Sequence, residues 1–176
     1  EDIRLSLHHK ADMIIDFCER KWPGQFEYIV EPMPFGTGGG IHFASKDISD
    51  PFLVVNGDIL SDINVAEFVS TTPNAIVGAY QKDARSYGLL DINNGKIAAF
   101  REKPIEECGG YINAGFYLLH PDIFSHIGVE AFMIEKEIFP QLAELGNLNV
   151  FTHDGYWIDC GTEERLGQAH DDHKEK

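Results

Sequence analysis

The sequence predicts an α/β fold: a Rossmann-like, mixed but mostly parallel sheet flanked by helices. Three observations lead there. Strand-like and helix-like hydrophobic patterns alternate through the first half of the chain. A glycine-rich turn at 36–40 joins a strand pattern to a helix pattern. Two acids, Asp58 and Asp159, each follow a short apolar run that reads as a buried strand. The 176 residues suffice for a sizeable core, and 1–176 is read as a single domain.

Ile3-Arg4-Leu5-Ser6-Leu7 alternates as a strand does. From Ala11 to Arg20, Met13, Ile14, Phe17 and Cys18 share one face of a helix, which Trp22-Pro23-Gly24 ends. A strand over Phe26–Val30, the glycine-rich turn, a short helix near Ile41–Lys46 and a buried strand over Phe52–Val55 follow. A helix around Val65–Ser70 leads to a strand at Ala75–Tyr80. Ser86–Asp91 and Lys96–Arg101 read as a hairpin closed by Asn93-Asn94-Gly95, because Asn-Gly tolerates positive φ. Gly110–Leu119 is a long strand. Pro140 should split or kink the helix pattern of Glu135–Leu145. Short strands at Asn149–Thr152 and Tyr156–Ile158 precede a last helix capped by Thr162, with Glu163 and Glu164 in its first turn.

The formal charge of −15, from 14 basic and 29 acidic residues, argues against nucleic-acid binding, which needs a basic face. An acidic protein can still take a nucleotide where a divalent cation supplies positive charge locally. No apolar run has the length of a membrane span, and no signal-peptide pattern opens the residues present. Three cysteines without paired spacing point to a reducing, cytoplasmic setting. The chain opens on Glu1-Asp2 and is read as part of a longer protein.

The chemistry lies in six segments. Asp58, in the turn Asn56-Gly57-Asp58, and Asp159, after Tyr156-Trp157-Ile158, are carboxylates at strand ends beside glycines. An unpaired buried carboxylate is costly, so two of them converging would make a site for Mg²⁺. Asp58 alone reads equally well as a turn acid capping a helix. In Glu31-Pro32-Met33-Pro34-Phe35-Gly36-Thr37-Gly38-Gly39-Gly40, the glycines allow close backbone approach to a ligand, and free N–H groups at the helix start could bind its polar edges. A tight strand-to-helix turn is the plainer alternative. Tyr87-Gly88 and Glu102-Lys103-Pro104 flank the hairpin and would meet at its base, as ligand groups or as an exposed ion pair. Asn113 and Gly115 open an apolar strand, as room for a ligand or, equally well, as a bulge or a buried, hydrogen-bonded Asn. The eight histidines form no metal-ligand pattern.

Taken together, EPMPFGTGGG, FLVVNGD, YGLLDI, FREKP, YINAGFYLL and YWIDCGTEERL resemble, in order and over nearly the whole chain, the sugar-1-phosphate nucleotidyltransferases. The likeness is strongest to mannose-1-phosphate and heptose-1-phosphate guanylyltransferases. The resemblance implies a nucleotide-diphospho-sugar transferase fold. It implies nucleotidyl transfer from a nucleoside triphosphate, GTP favoured, to a sugar-1-phosphate, giving a nucleotide sugar and pyrophosphate. Glu31, Gly36 and Thr37 would lie near the base, and Asp58 and Asp159 would hold Mg²⁺. Tyr87, Gly88, Glu102, Asn113 and Gly115 would hold the sugar, and Lys103 its phosphate. The family's opening strand and arginine-bearing glycine loop are missing from this chain, a gap on the order of 30 or more residues. The chain alone is therefore expected to be inactive. A glycosyltransferase of related fold and a non-enzymatic sugar-nucleotide sensor are the alternatives. Base, sugar and homo-oligomerisation stay open.

Overall fold

In the computed structural model, residues 2–101, 103–128 and 130–174 are described. The chain divides into two compact units, Glu1–Asp50 with Pro121–Phe139, and Pro51–His120 with Pro140–Lys176.

The first unit is built on a parallel pair, β1 (Ile3–Leu7) and β2 (Phe26–Val30), in register from Ile3↔Phe26 to Leu7↔Val30. A parallel pair needs a crossover, and α1 (Ala11–Lys21) supplies it. Arg4 ties this pair to the segment after the next helix. It bonds Glu27, the Ala44 carbonyl and both carboxylate oxygens of Asp47. That helix, α2 (Gly36–Ala44), starts inside the glycine run rather than near Ile41, where the sequence placed it. Glycine disfavours helix, but here tertiary packing overrides propensity. Phe35, Phe124 and Phe132 are buried around α2, and a β-carbon at Gly38 would collide with the Phe132 ring. A 3-10 turn at Pro121–Phe124 and α4 (Ile134–Glu137) complete the unit.

The second unit holds a six-stranded sheet. Its strands are β3 (Phe52–Val55), β5 (Ala75–Gln81), β6 (Leu89–Asn93), β7 (Lys96–Arg101), β8 (Gly110–Leu119) and β9 (Asn149–His153), in the order β3-β8-β5-β9-β7-β6. The sheet is mixed, but the balance of directions corrects the expectation of a mostly parallel one. Within it β5–β9 runs parallel, while β3–β8, β5–β8, β6–β7, β6–β8 and β7–β9 run antiparallel. The reason is β8, which inserts between β3 and β5, two strands that run the same way. The helix–strand alternation of the first half implied parallel neighbours and holds for β1 and β2 only. β3 pairs with β8 alone among the described strands, and its side chains are half-buried to exposed rather than buried.

The β6–β7 hairpin closes at Asn94 (φ 49°) and Gly95 (φ 74°), the left-handed pair its sequence predicts. A separate two-stranded ladder joins β4 (Ile59–Ser61) to β10 (Trp157–Asp159). Val65–Phe68 forms the short α3, and the pattern around Pro140 splits, with α5 at Phe139–Glu144. α6 (Glu163–Lys174) closes the described chain. Phe68, Ala75, Val77, Ile112, Ala114, Leu118 and Trp157 pack in one buried cluster beneath the sheet. At roughly 25 cal/mol per Å² of apolar surface removed from water, this burial is the main term favouring the unit.

Candidate active site

Asp58 and Asp159 are brought together by the β4–β10 ladder. Asp159 pairs with Ile59, and the Cys160 amide donates to the Asp58 carbonyl at 2.7 Å. The antiparallel register therefore sets the two acids side by side at one end of a three-residue ladder. A β-carbon built on Gly161 would stand 3.2 Å from Asp159 Oδ1 and 3.7 Å from Asp58 Oδ2. Only hydrogen at Gly161 leaves the space between the carboxylates open.

The two carboxylates differ in their surroundings. Asp58 is exposed, and no side-chain hydrogen bond reaches it among the described residues. Asp159 is half-buried and engaged on both oxygens. Oδ1 accepts from the Arg165 guanidinium and from the Gly161 amide at 3.3 Å, and Oδ2 accepts from the Tyr87 hydroxyl at 2.5 Å. Burial alone would push the Asp159 carboxyl up. The hydrogen bonds from Tyr87, Arg165 and Gly161 outweigh it and hold the group below the usual carboxylate range. The same environment pushes Tyr87 up to about 12, through burial first and then through its bond to an anion.

Tyr87 lies edge-on to Trp157, with ring centroids 5.5 Å apart. Trp157 Nε1 in turn donates to the Ala114 carbonyl at 2.9 Å. That contact links the acids to the Asn113–Gly115 segment, which is a bulge. The β5–β8 register shifts between Ile76 and Gly78, and Gly115 takes φ +76°. Asn113 accepts from the Gly115 amide at 3.0 Å and donates to the Tyr117 hydroxyl at 3.1 Å. Its amide thus shapes the bulge. Gly88 and Lys103 stand at the open end of the hairpin, where Leu89 pairs with Arg101. Lys103 is exposed, with no partner among the described residues. Glu102 lies outside the described residues.

Glu31, Gly36 and Thr37 belong to the first unit. Glu31 accepts from Ser6 Oγ and from the Phe35 amide, each at 3.0 Å. Thr37 donates to Glu135 at 2.6 Å and accepts from the Ile134 amide at 3.2 Å. The expectation of free N–H groups at the start of α2 is corrected. Gly38 and Gly39 both donate to the Phe132 carbonyl, at 3.0 and 3.3 Å, so these orphan donors of the helix end are satisfied internally.

Arg165 is the site residue that sequence reasoning missed. A signal for it existed: a cation in the first turn of a helix opposes the dipole and suggests a carboxylate nearby.

The pattern of the nucleotidyl transferase family matches residues 5–176. The chain belongs to that family. Among curated relatives, the mannose-1-phosphate guanyltransferases of Yarrowia lipolytica and Aspergillus oryzae are 33% and 30% identical, over 92% and 91% of this chain. The chain spans about half the length of these relatives, 48% in each case. Among solved structures, HddC of Yersinia pseudotuberculosis complexed with GMP-PN superposes with a TM-score of 0.85 at 32% identity. That match covers 97% of this chain and 78% of HddC. The Asp58 and Asp159 carboxylates beside Gly161 are hard oxygen donors of the kind a divalent cation could take. Such ions take one or two carboxylates and complete their shell with phosphate oxygens. No group of three or more His, Cys, Asp or Glu side chains is arranged to hold a metal among the described residues.

Proposed function

We propose that the protein transfers a nucleotidyl group from a nucleoside triphosphate, with GTP favoured, to a sugar-1-phosphate. An oxygen of the sugar phosphate attacks the α-phosphorus. The new P–O bond forms as the bond to the β-phosphate oxygen breaks, and pyrophosphate leaves with the electron pair. The observation that carries the reading is the pair of carboxylates flanking Gly161 in a chain similar over nine-tenths of its length to mannose-1-phosphate guanyltransferases. The likeness to HddC, solved with GMP-PN, supports guanine over the other bases.

In this reading Asp58 and Asp159 would hold Mg²⁺. The ion would neutralise phosphate charge as it develops in the transition state. Tyr87 and the Gly161 amide keep Asp159 aimed and ionised. Lys103, exposed at the hairpin base, would pair with the sugar phosphate, with Tyr87, Gly88, Asn113 and Gly115 around the sugar. Catalysis is then positioning and charge neutralisation, without a side-chain nucleophile. The free cysteines Cys18, Cys108 and Cys160 favour a cytoplasmic setting. No helix of the described residues is long and apolar enough to cross a membrane.

The test is a panel of nucleoside triphosphates against sugar-1-phosphates with the full-length protein and Mg²⁺, read as pyrophosphate release. Release with GTP and a hexose- or heptose-1-phosphate is expected. No release with any pair would defeat the reading.

A further inference from the structure

We propose that Arg165 is an internal counter-ion that occupies the position on Asp159 which a divalent cation takes, so that the cation binds by displacing the guanidinium. The inference deepens the proposed function and rests on its metal site.

Arg165 is the third residue of α6, and its amide donates to the capping Thr162 hydroxyl at 3.2 Å. The positive end of a helix disfavours a cation there. The side chain turns back along the helix end, donates to Asp159 Oδ1 and covers the Tyr87 ring at 5.4 Å. It remains a third exposed, so it has room to leave. Asp159 meanwhile has its oxygens engaged by Arg165, Gly161 and Tyr87. Asp58, across the gap left by Gly161, has its carboxylate free of hydrogen bonds among the described residues.

A divalent cation held by these two acids would meet one ready ligand and one occupied one. Oδ1 is the Asp159 oxygen that faces the gap beside Gly161, and it is the one Arg165 holds. A guanidinium within hydrogen-bond distance also repels a second positive charge in the same space. Arg165 thus keeps Asp159 ionised and oriented while no metal is present, and it weakens metal binding by the protein alone. Tight binding then requires the additional oxygens that a phosphate-bearing substrate brings.

The experiment titrates the full-length protein with Mn²⁺ in the absence of nucleotide, following the free ion by electron paramagnetic resonance. Arg165→Gln should bind Mn²⁺ at least about tenfold more tightly than wild type, because a competing cation is gone. Unchanged or weaker binding by a folded Arg165→Gln would overturn the proposal, since a residue that merely supports the site would give that result. A second measurement needs no variant: the Nε–Hε resonance of Arg165 in the wild-type protein should broaden and shift as Mg²⁺ saturates the site. A resonance unmoved at saturation would overturn the proposal as well. Mn²⁺ binding that is lost in Asp58→Asn but indifferent to Arg165→Gln would leave the metal site standing and sink only this inference. No Mn²⁺ binding by Arg165→Gln would overturn this inference, and the same titration repeated with the nucleoside triphosphate present tests the metal site apart from it: no binding there would sink both.

Discussion

The Tyr87 hydroxyl donates to Asp159 Oδ2 at 2.5 Å, joining two residues 72 positions apart. The bond connects the start of the β6–β7 hairpin to the end of β10, and it is charge-assisted, so it is worth more than a neutral pair. Asp159 ionises more readily in the folded protein than its ordinary value, which places the bond's contribution on the alkaline side. The contribution is complete above the usual carboxylate pKa of about 4 and is lost as pH falls through the lowered folded value.

Tyr87→Phe should therefore cost about 1.5 kcal/mol of stability near pH 7, the size of a hydrogen bond to a charged group. The gap between variant and wild type should close below about pH 4. Urea unfolding of both proteins at several pH values measures it. A gap that stays constant from pH 7 to pH 3 would mean that the hydroxyl stabilises through packing alone.

The two acids should separate when each is neutralised. Asp58→Asn removes a carboxylate without hydrogen bonds among the described residues, so thermal stability should hardly change. Asp159→Asn leaves the Arg165 guanidinium and the Tyr87 hydroxyl facing an amide, and the midpoint should fall. Both should lower nucleotidyl transfer by orders of magnitude in the full-length protein, because each removes a proposed ligand of Mg²⁺. Near-normal turnover in either variant would exclude the two-carboxylate site.

How far the sequence foretold this arrangement differs from element to element. Asn94-Gly95 and Pro140 act through their own φ restrictions, so the hairpin and the split helix were legible locally. The helix over Gly36–Ala44 was not, because its glycines are of low propensity and three of them, Gly36, Gly38 and Gly39, are packed against or bonded to Phe132, almost a hundred residues away. β4 is three residues long, too short for any periodicity to register. The order β3-β8-β5 depends on a strand that arrives late in the chain, which alternation in the first half cannot reveal. Asp58 and Asp159 could be singled out because acids at strand ends are unusual. Their different surroundings, one free and one held by Tyr87 and Arg165, depend on the fold.

Lys103→Ala should weaken use of the sugar-1-phosphate more than binding of the triphosphate. The side chain is exposed at the hairpin base without a partner among the described residues, so its loss should leave the fold unchanged. Steady-state kinetics with each substrate varied in turn checks the placement. Equal losses for both substrates would contradict it.

Gly115 tests whether the bulge beside the acids is rigid. Its φ of +76° disfavours any residue with a β-carbon, by about 1–2 kcal/mol. A β-carbon there would also stand 2.8 Å from Asn56 Nδ2, a side-chain atom of the turn that carries Asp58. The Asn56 backbone N–H donates to the Gly115 carbonyl at 2.9 Å, so any backbone shift at Gly115 reaches that turn directly. Gly115→Ala should thus destabilise the protein by about 2 kcal/mol or more, the sum of backbone strain and crowding. It should also lower turnover in the molecules that remain folded. Gly57→Ala is the control. Its β-carbon meets nothing within 4 Å and its φ is not positive, so stability should stay within about 0.5 kcal/mol of wild type. Chemical denaturation of the two variants side by side measures the difference. A Gly115→Ala protein as stable as Gly57→Ala would show that the bulge relaxes freely and does not hold the Asp58 turn in place.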